Sequence, residues 1–154
     1  MPAAQFWAEW DVQQVRAAVP DGKVSINAAW GLTLDLNDKP ISDLTPLRPL
    51  PIGYLMFHKS KVTDLAPLRG MRLKQIAFDE TAVTDVSALL DMPILEAAIV
   101  TKRATNLEVL RHHPTLQYLG WEGDWGGDGD GGHPRLTTAE FWQRYDALKA
   151  AGQK

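Results

Sequence analysis

The sequence predicts an α/β fold: about five short parallel strands stacked into a right-handed solenoid, with 3₁₀ return segments and a helical cap at each end. Three observations predict it. A phrase returns every 21 residues, as ISDLTPL at Ile41–Leu47, VTDLAPL at Val62–Leu68, VTDVSAL at Val83–Leu89 and ATNLEVL at Ala104–Leu110. Ahead of the third phrase, at Gln75–Asp79, lies a short stretch where inward and outward residues alternate. Aromatic-rich amphipathic segments flank the array. A repeat this short cannot shelter its own apolar side chains, so it must lie against its neighbours.

The elements follow in chain order. Phe6, Trp7, Trp10, Val12 and Val15 fit one helical face, so the chain opens on an amphipathic helix that continues into Asp11–Lys23. Pro20-Asp21-Gly22 is a turn. Val24–Ala28 alternates and predicts a strand that starts the sheet or pairs at its edge.

One coil explains the rest. In Leu73–Leu89, Ile76 and Phe78 alternate with Gln75, Ala77 and Asp79, the period-2 signature of a strand with one buried face. Val86 and Leu89, three apart, suit a 3₁₀ turn on the opposite side of the coil. Asp85 precedes that turn, where its carboxylate can accept from free N–H groups; Asp43, Asp64 and Asn106 take the same place in the other copies. Strands are predicted at Leu32–Asn37, Tyr54–His58, Gln75–Asp79, Ala97–Val100 and Gln117–Glu122. The core of the fourth coil is read as Ile94, Ala97 and Ile99, and the last coil (Leu116, Leu119, Trp121) as slipped by one residue. Pro46 and Pro67 sit inside return turns, where a missing N–H does no harm. The division is one domain: 1–31 a helical cap and lead-in, 32–122 the repeats, 123–136 a Gly/Asp-rich loop, and 137–150 a C-terminal cap helix.

Composition excludes several classes. A formal charge of −3 over 154 residues leaves no basic footprint for nucleic acid. No apolar run approaches the roughly 20 residues that span a bilayer. The absence of cysteine removes disulfides and thiolate metal sites and, with no secretory signal at the N-terminus, fits a cytoplasmic setting. No phosphate loop, dinucleotide fingerprint or zinc-protease motif is present, so no cofactor and no enzymatic activity are predicted.

Function is expected on the solvent side of the sheet. Its predicted columns are Thr33, Tyr54, Gln75, Glu96, Gln117; then Asp35, Met56, Ala77, Ala98; then Asn37, His58, Asp79, Val100, Glu122. Tyr54, Met56, His58, Gln75, Asp79 and Val100 form the candidate partner-binding set, with Trp125 in the Gly/Asp loop. His58 and Asp79, equivalent positions of adjacent strands, can meet as a His–Asp pair, but no Ser or Cys nucleophile shares their face. Asp124, Asp128 and Asp130, with His133, offer ligands to a cation such as calcium, although the spacing matches neither an EF-hand nor the glycine-rich calcium repeat.

The L-x-x-L-x-L strand pattern followed by a T/S-D-L-x-P-L return segment resembles bacterial leucine-rich repeats of the short, 21–22-residue class. PLRGM at Pro67–Met71, NLEVLRHHPTLQYL at Asn106–Leu119 and AEFW at Ala139–Trp142 resemble arrays in large bacterial proteins, often beside serine/threonine kinase-like domains. The resemblance runs from about Leu32 to Tyr145. The chain departs from the pattern at Ala97 and Ala104, which thin the fourth copy, and in its longer Gly/Asp loop. It implies non-catalytic recognition of a protein partner, with neither nucleic acid nor membrane. The alternatives are a spacer module of a tandem array and a calcium-binding module. The spacer reading draws on the ends of the chain, since Ala4–Asp11 and Ala139–Asp146 align without gaps (AQFWAEWD and AEFWQRYD). Either both are caps, or the first is the tail of a preceding array.

Overall fold

The computed structural model describes residues 3–27, 30–122, 124 and 134–152. Helix α1 (Ala3–Ala18) leads through the predicted Pro20 turn to strand β1 (Lys23–Asn27) and then β2 (Gly31–Asp35). Four coils follow. Their strands are β3 (Tyr54–Met56), β4 (Gln75–Ala77), β5 (Ala97–Ile99) and β6 (Tyr118–Gly120). Their 3₁₀ returns are η1 (Thr45–Leu47), η2 (Ala66–Leu68), η3 (Ser87–Asp91) and η4 (Leu107–Leu110), and helix α2 (Thr138–Ala150) closes the chain. The sheet runs β1-β2-β3-β4-β5-β6; β1 is antiparallel to β2 and all later pairs are parallel. The expected five-strand parallel ladder is therefore present, with Val24 and its neighbours as an added edge strand.

The apolar rows stack as a solenoid requires. Leu34, Leu55, Ile76, Ala98 and Leu119 lie in register on the inner face, all buried. A second row, Leu36, Phe57, Phe78, Val100 and Trp121, is buried beside it, with Phe57 and Phe78 stacked at 5.7 Å between ring centroids. The return segments supply Leu44, Leu65, Val86 and Leu107, then Leu47, Leu68, Leu89 and Leu110. Pro46 and Pro67 open η1 and η2. Asp43, Asp64 and Asp85 each accept from the N–H two residues on, at 2.8–2.9 Å. Asn106 instead reaches back one coil: its Oδ1 accepts from Val86 N–H and its amide donates to Asp85.

The structure moves the irregular step. It lies in the fourth coil, not the last. Leu73 to Leu95, Ile76 to Ala98 and Phe78 to Val100 are each 22 residues apart, whereas Leu95 to Leu116 is again 21. The extra residue sits between Met92 and Leu95, where the third coil has only Arg72 between Met71 and Leu73. Ala98 and Val100 consequently belong to the main core, and Ala97 and Ile99, read as core, belong to the outer face.

The two ends are closed differently. At the N-terminal end Val15 and Val19 enter the core and Val12 packs against it, while Trp10, expected on the same face, is 49% exposed. At the C-terminal end Phe141 and Trp142 are buried, and Trp121 stacks on Phe141 with 4.5 Å between centroids. Thr137 and Glu140 form a reciprocal capping box at the start of α2. Arg111 lies 4.3 Å from the Trp142 ring centroid and donates to both oxygens of Asp146. That fork holds the Asp146 carboxyl below its ordinary range.

Candidate functional site

The outer face is built by the strand alternation that buries the inner one. Its observed columns are Thr33–Tyr54–Gln75–Ala97–Tyr118 and Asp35–Met56–Ala77–Ile99–Gly120. Past the shift in register Glu96 and Gln117 leave the first column, and Ile99 replaces Ala98 in the second. The larger Ile99 side chain therefore fills part of that column.

The candidate partner residues fall into four groups. Met56 and His58 stand on the outer face, partly accessible. Tyr54, Gln75 and Asp79 share that face but are buried, at 1%, 0% and 2% exposure, where solvent-facing side chains were expected. Val100 is not on this face: it is wholly buried in the main core, because the added residue ahead of Leu95 rotates it inward. Trp125 lies outside the described residues, as do Asp128, Asp130 and His133. Of the acidic loop residues only Asp124 is described. Its Oδ1 accepts from Arg144 and its Oδ2 from Trp121 N–H, so its carboxylate fastens α2 to the last coil.

His58 and Asp79 meet as their 21-residue spacing predicts, Nδ1 to Oδ2 at 2.9 Å. His58 Nε2 lies 3.9 Å from Glu80 Oε1. One ligand atom from each of His58, Asp79 and Glu80 falls within 4.8 Å of the others, so these three are the described residues best placed to hold a cation. Glu80 is also engaged by Lys59 at 3.9 Å. Asp38, Lys59 and Glu80 hold positive φ of 59°, 56° and 54°, so the turns after β2, β3 and β4 pass through the left-handed region.

Unmet polarity marks this face. Among the described residues the Thr33 Oγ1, Tyr54 hydroxyl and Asp79 Oδ1 are buried without a hydrogen-bond partner. The Tyr54 hydroxyl stands beside Gln75 at a geometry short of a hydrogen bond. Burial first, and then the charges of Asp79 and Asp35, push the Tyr54 phenol up, so it stays neutral.

The edge where the strands begin, the leading edge, was missed by the sequence reading. Here Gly53, Lys74, Glu96 and Gln117 form a ladder of their own, each N–H donating to the carbonyl one coil back at 2.8 Å. An open groove of about 640 Å³ runs along this edge past Trp30, Arg48, Leu50, Arg72, Lys74 and Ile94. Trp30 is fixed at its end by two contacts: its ring meets Tyr54 edge-on at 6.4 Å, and its carbonyl presses on Gly53. Any Cβ at position 53 would lie 1.7 Å from that oxygen, so only glycine fits. The signal available in the sequence was the run of residues between each return turn and its strand (RPLPIG, RGMRLK), which reads as connection rather than surface.

No protein-family model matches the sequence, and no curated protein matches it. Solved structures do. An internalin (InlF) from Listeria monocytogenes superposes with a TM-score of 0.51 at 23% identity, covering 56% of this chain and 27% of its own. The Drosophila melanogaster SNF/U2A′ complex gives 0.50 at 18% identity, covering 67% of this chain and 64% of the matched chain. The chain thus spans about a quarter of the internalin and under two thirds of the other. Both matches are leucine-rich-repeat proteins. Among the described residues no helix is long and apolar enough to cross a membrane. The stacked parallel ladder, its 3₁₀ returns and these neighbours together make the chain a leucine-rich-repeat solenoid of the α/β class.

Proposed function

We propose that this solenoid is a non-catalytic protein-recognition domain, acting through the outer sheet face and the groove beside it, within a larger bacterial protein. The observation that carries the reading is the unmet polarity of the outer face. Burying Thr33 Oγ1, Tyr54 OH and Asp79 Oδ1 without partners is costly, and apolar side chains of similar shape would be cheaper to bury there. Unmet polar groups of this kind concentrate at functional sites. Met56 packs against the Tyr54 cluster and His58 bonds Asp79, and these two are the partly accessible residues of the set through which a partner would engage the face. The ladder fixes neighbouring coils about 4.8 Å apart, so the face is rigid and little ordering entropy is lost on binding. The His58–Asp79 pair is read as part of this surface rather than as a base.

The test is affinity capture with the isolated chain, followed by a titration with the purified partner. A Met56→Ala/His58→Ala double variant is expected to stay folded, at a lower melting temperature because the buried Asp79 carboxylate loses its His58 partner, and, measured below that temperature, to bind at least about tenfold more weakly. Unchanged affinity in the double variant would contradict the reading.

A further inference from the structure

Arg48 and Arg69 occupy equivalent places, 21 residues apart, just after η1 and η2. Arg69 is held: it donates to Asp91 and, at 3.0 Å, to Ser87. The positions that would serve Arg48 in the same way, one repeat earlier, are Gly70 and Ala66, which offer it nothing. Arg48 is accordingly exposed, and among the described residues no carboxylate comes within ion-pair distance of it. The same is true of Arg72 and Lys74. All three line the leading-edge groove, and no acidic residue among the described ones lines it with them. Glu96 stands one coil beyond, in the adjoining shallow hollow with Pro114 and Gln117.

A protein of net charge −3 that gathers three unpaired cations along one open groove has a surface made for a negative ligand. The groove also has an apolar component, in Trp30, Leu50 and Ile94. It crosses three coils from β2 towards β5, about 14 Å at ladder spacing, which is the length of about four residues of extended chain. We infer that the leading-edge groove binds a short extended acidic segment of a protein partner, with carboxylates on Arg48, Arg72 and Lys74 and an apolar side chain against Trp30, Leu50 and Ile94. Three cations and an apolar floor suit carboxylates interleaved with apolar residues better than a nucleic-acid backbone, which asks for more cations and for stacking along its length. This inference rests on the recognition reading above and specifies the chemistry of the partner.

The test is fluorescence anisotropy with a labelled octapeptide of glutamates and leucines, a lysine–leucine control, and a single-stranded oligonucleotide of equal charge. The acidic peptide should saturate, the basic control should not, and raising the salt should weaken binding. An Arg48→Glu/Arg72→Glu variant, altered at exposed positions, should melt as the parent does and bind the acidic peptide at least about tenfold more weakly. Equal binding by that variant, no saturation by about 1 mM peptide, or tighter binding of the oligonucleotide would each overturn the inference. A partner lost on changing Met56 and His58 but not Arg48 and Arg72 would also overturn it, while leaving the recognition reading intact.

Discussion

The two edges of the sheet are made by the same repeat and arrange their charges differently. On the trailing edge, where strands finish, cations and carboxylates alternate and several pair within the chain: His58 with Asp79, Lys59 with Glu80, Lys102 with Glu122. On the leading edge Arg48, Arg72 and Lys74 line a groove with no carboxylate among its described residues. A stacked repeat puts equivalent residues side by side, so pairing is the easy outcome and its failure is informative. Arg69 shows the pair that the geometry permits, and Arg48 shows the same position stripped of its acceptor. The leading edge is therefore where unpaired cations are gathered into one groove with an apolar floor.

The largest expected effect separates edge from core. Phe78→Ala removes a ring stacked on Phe57 at the centre of the solenoid, and should cost roughly 3–5 kcal/mol in denaturant unfolding. By contrast, Arg48→Glu/Arg72→Glu should change stability by less than about 0.5 kcal/mol, since neither side chain has a partner to lose. A large loss of stability there would mean that the groove cations are structural and would break the comparison of the edges. Tyr54→Phe deletes a buried hydroxyl that has no hydrogen-bond partner, so it should be neutral or stabilise by up to about 1 kcal/mol. Marked destabilisation would show that the hydroxyl is satisfied within the fold.

A smaller effect appears in acid. Hydrogen bonds from the backbone and side chain of Ser87, and then from Asn106, hold the Asp85 carboxyl at about 2, below its ordinary 3.8. A group depressed in the folded state stabilises it above the unfolded value and loses that contribution as pH falls towards the folded one. Stability should therefore decline between about pH 4 and pH 2, and Asp85→Asn should flatten part of that decline. A pH profile unchanged in the variant would show that Asp85 is not coupled to folding.

Much of this was legible in the sequence because repetition multiplies a weak signal. The 21-residue phrase located every return turn, and the alternation in Tyr54–His58 and Gln75–Asp79 assigned both faces of β3 and β4 correctly. The fourth coil resisted for a physical reason. Ala97, Ala98, Ile99 and Val100 are all apolar, so alternation does not distinguish inside from outside, and a one-residue slip reverses every side chain. The signal that would have helped is the buried row Met71, Met92, His113, which keeps 21-residue spacing while the next core residues shift. His113 fills its place as a structural group, its Nε2 2.9 Å from the Leu89 carbonyl and its Nδ1 accepting from Thr115 N–H. Burial of the outer face was not legible either, because strand alternation tells which side a residue takes and not what lies over it. The groove escaped notice because an unpaired arginine is defined by what is missing one coil away.

The most direct test of the open leading edge is a ¹⁵N-resolved NMR titration with the acidic octapeptide. The account predicts saturable shifts at the amides of Gly53, Gly70 and Lys74, with Lys59 and Glu80 unmoved. Shifts confined to Lys59, Glu80 and their neighbours on the trailing edge, or none at all, would contradict it.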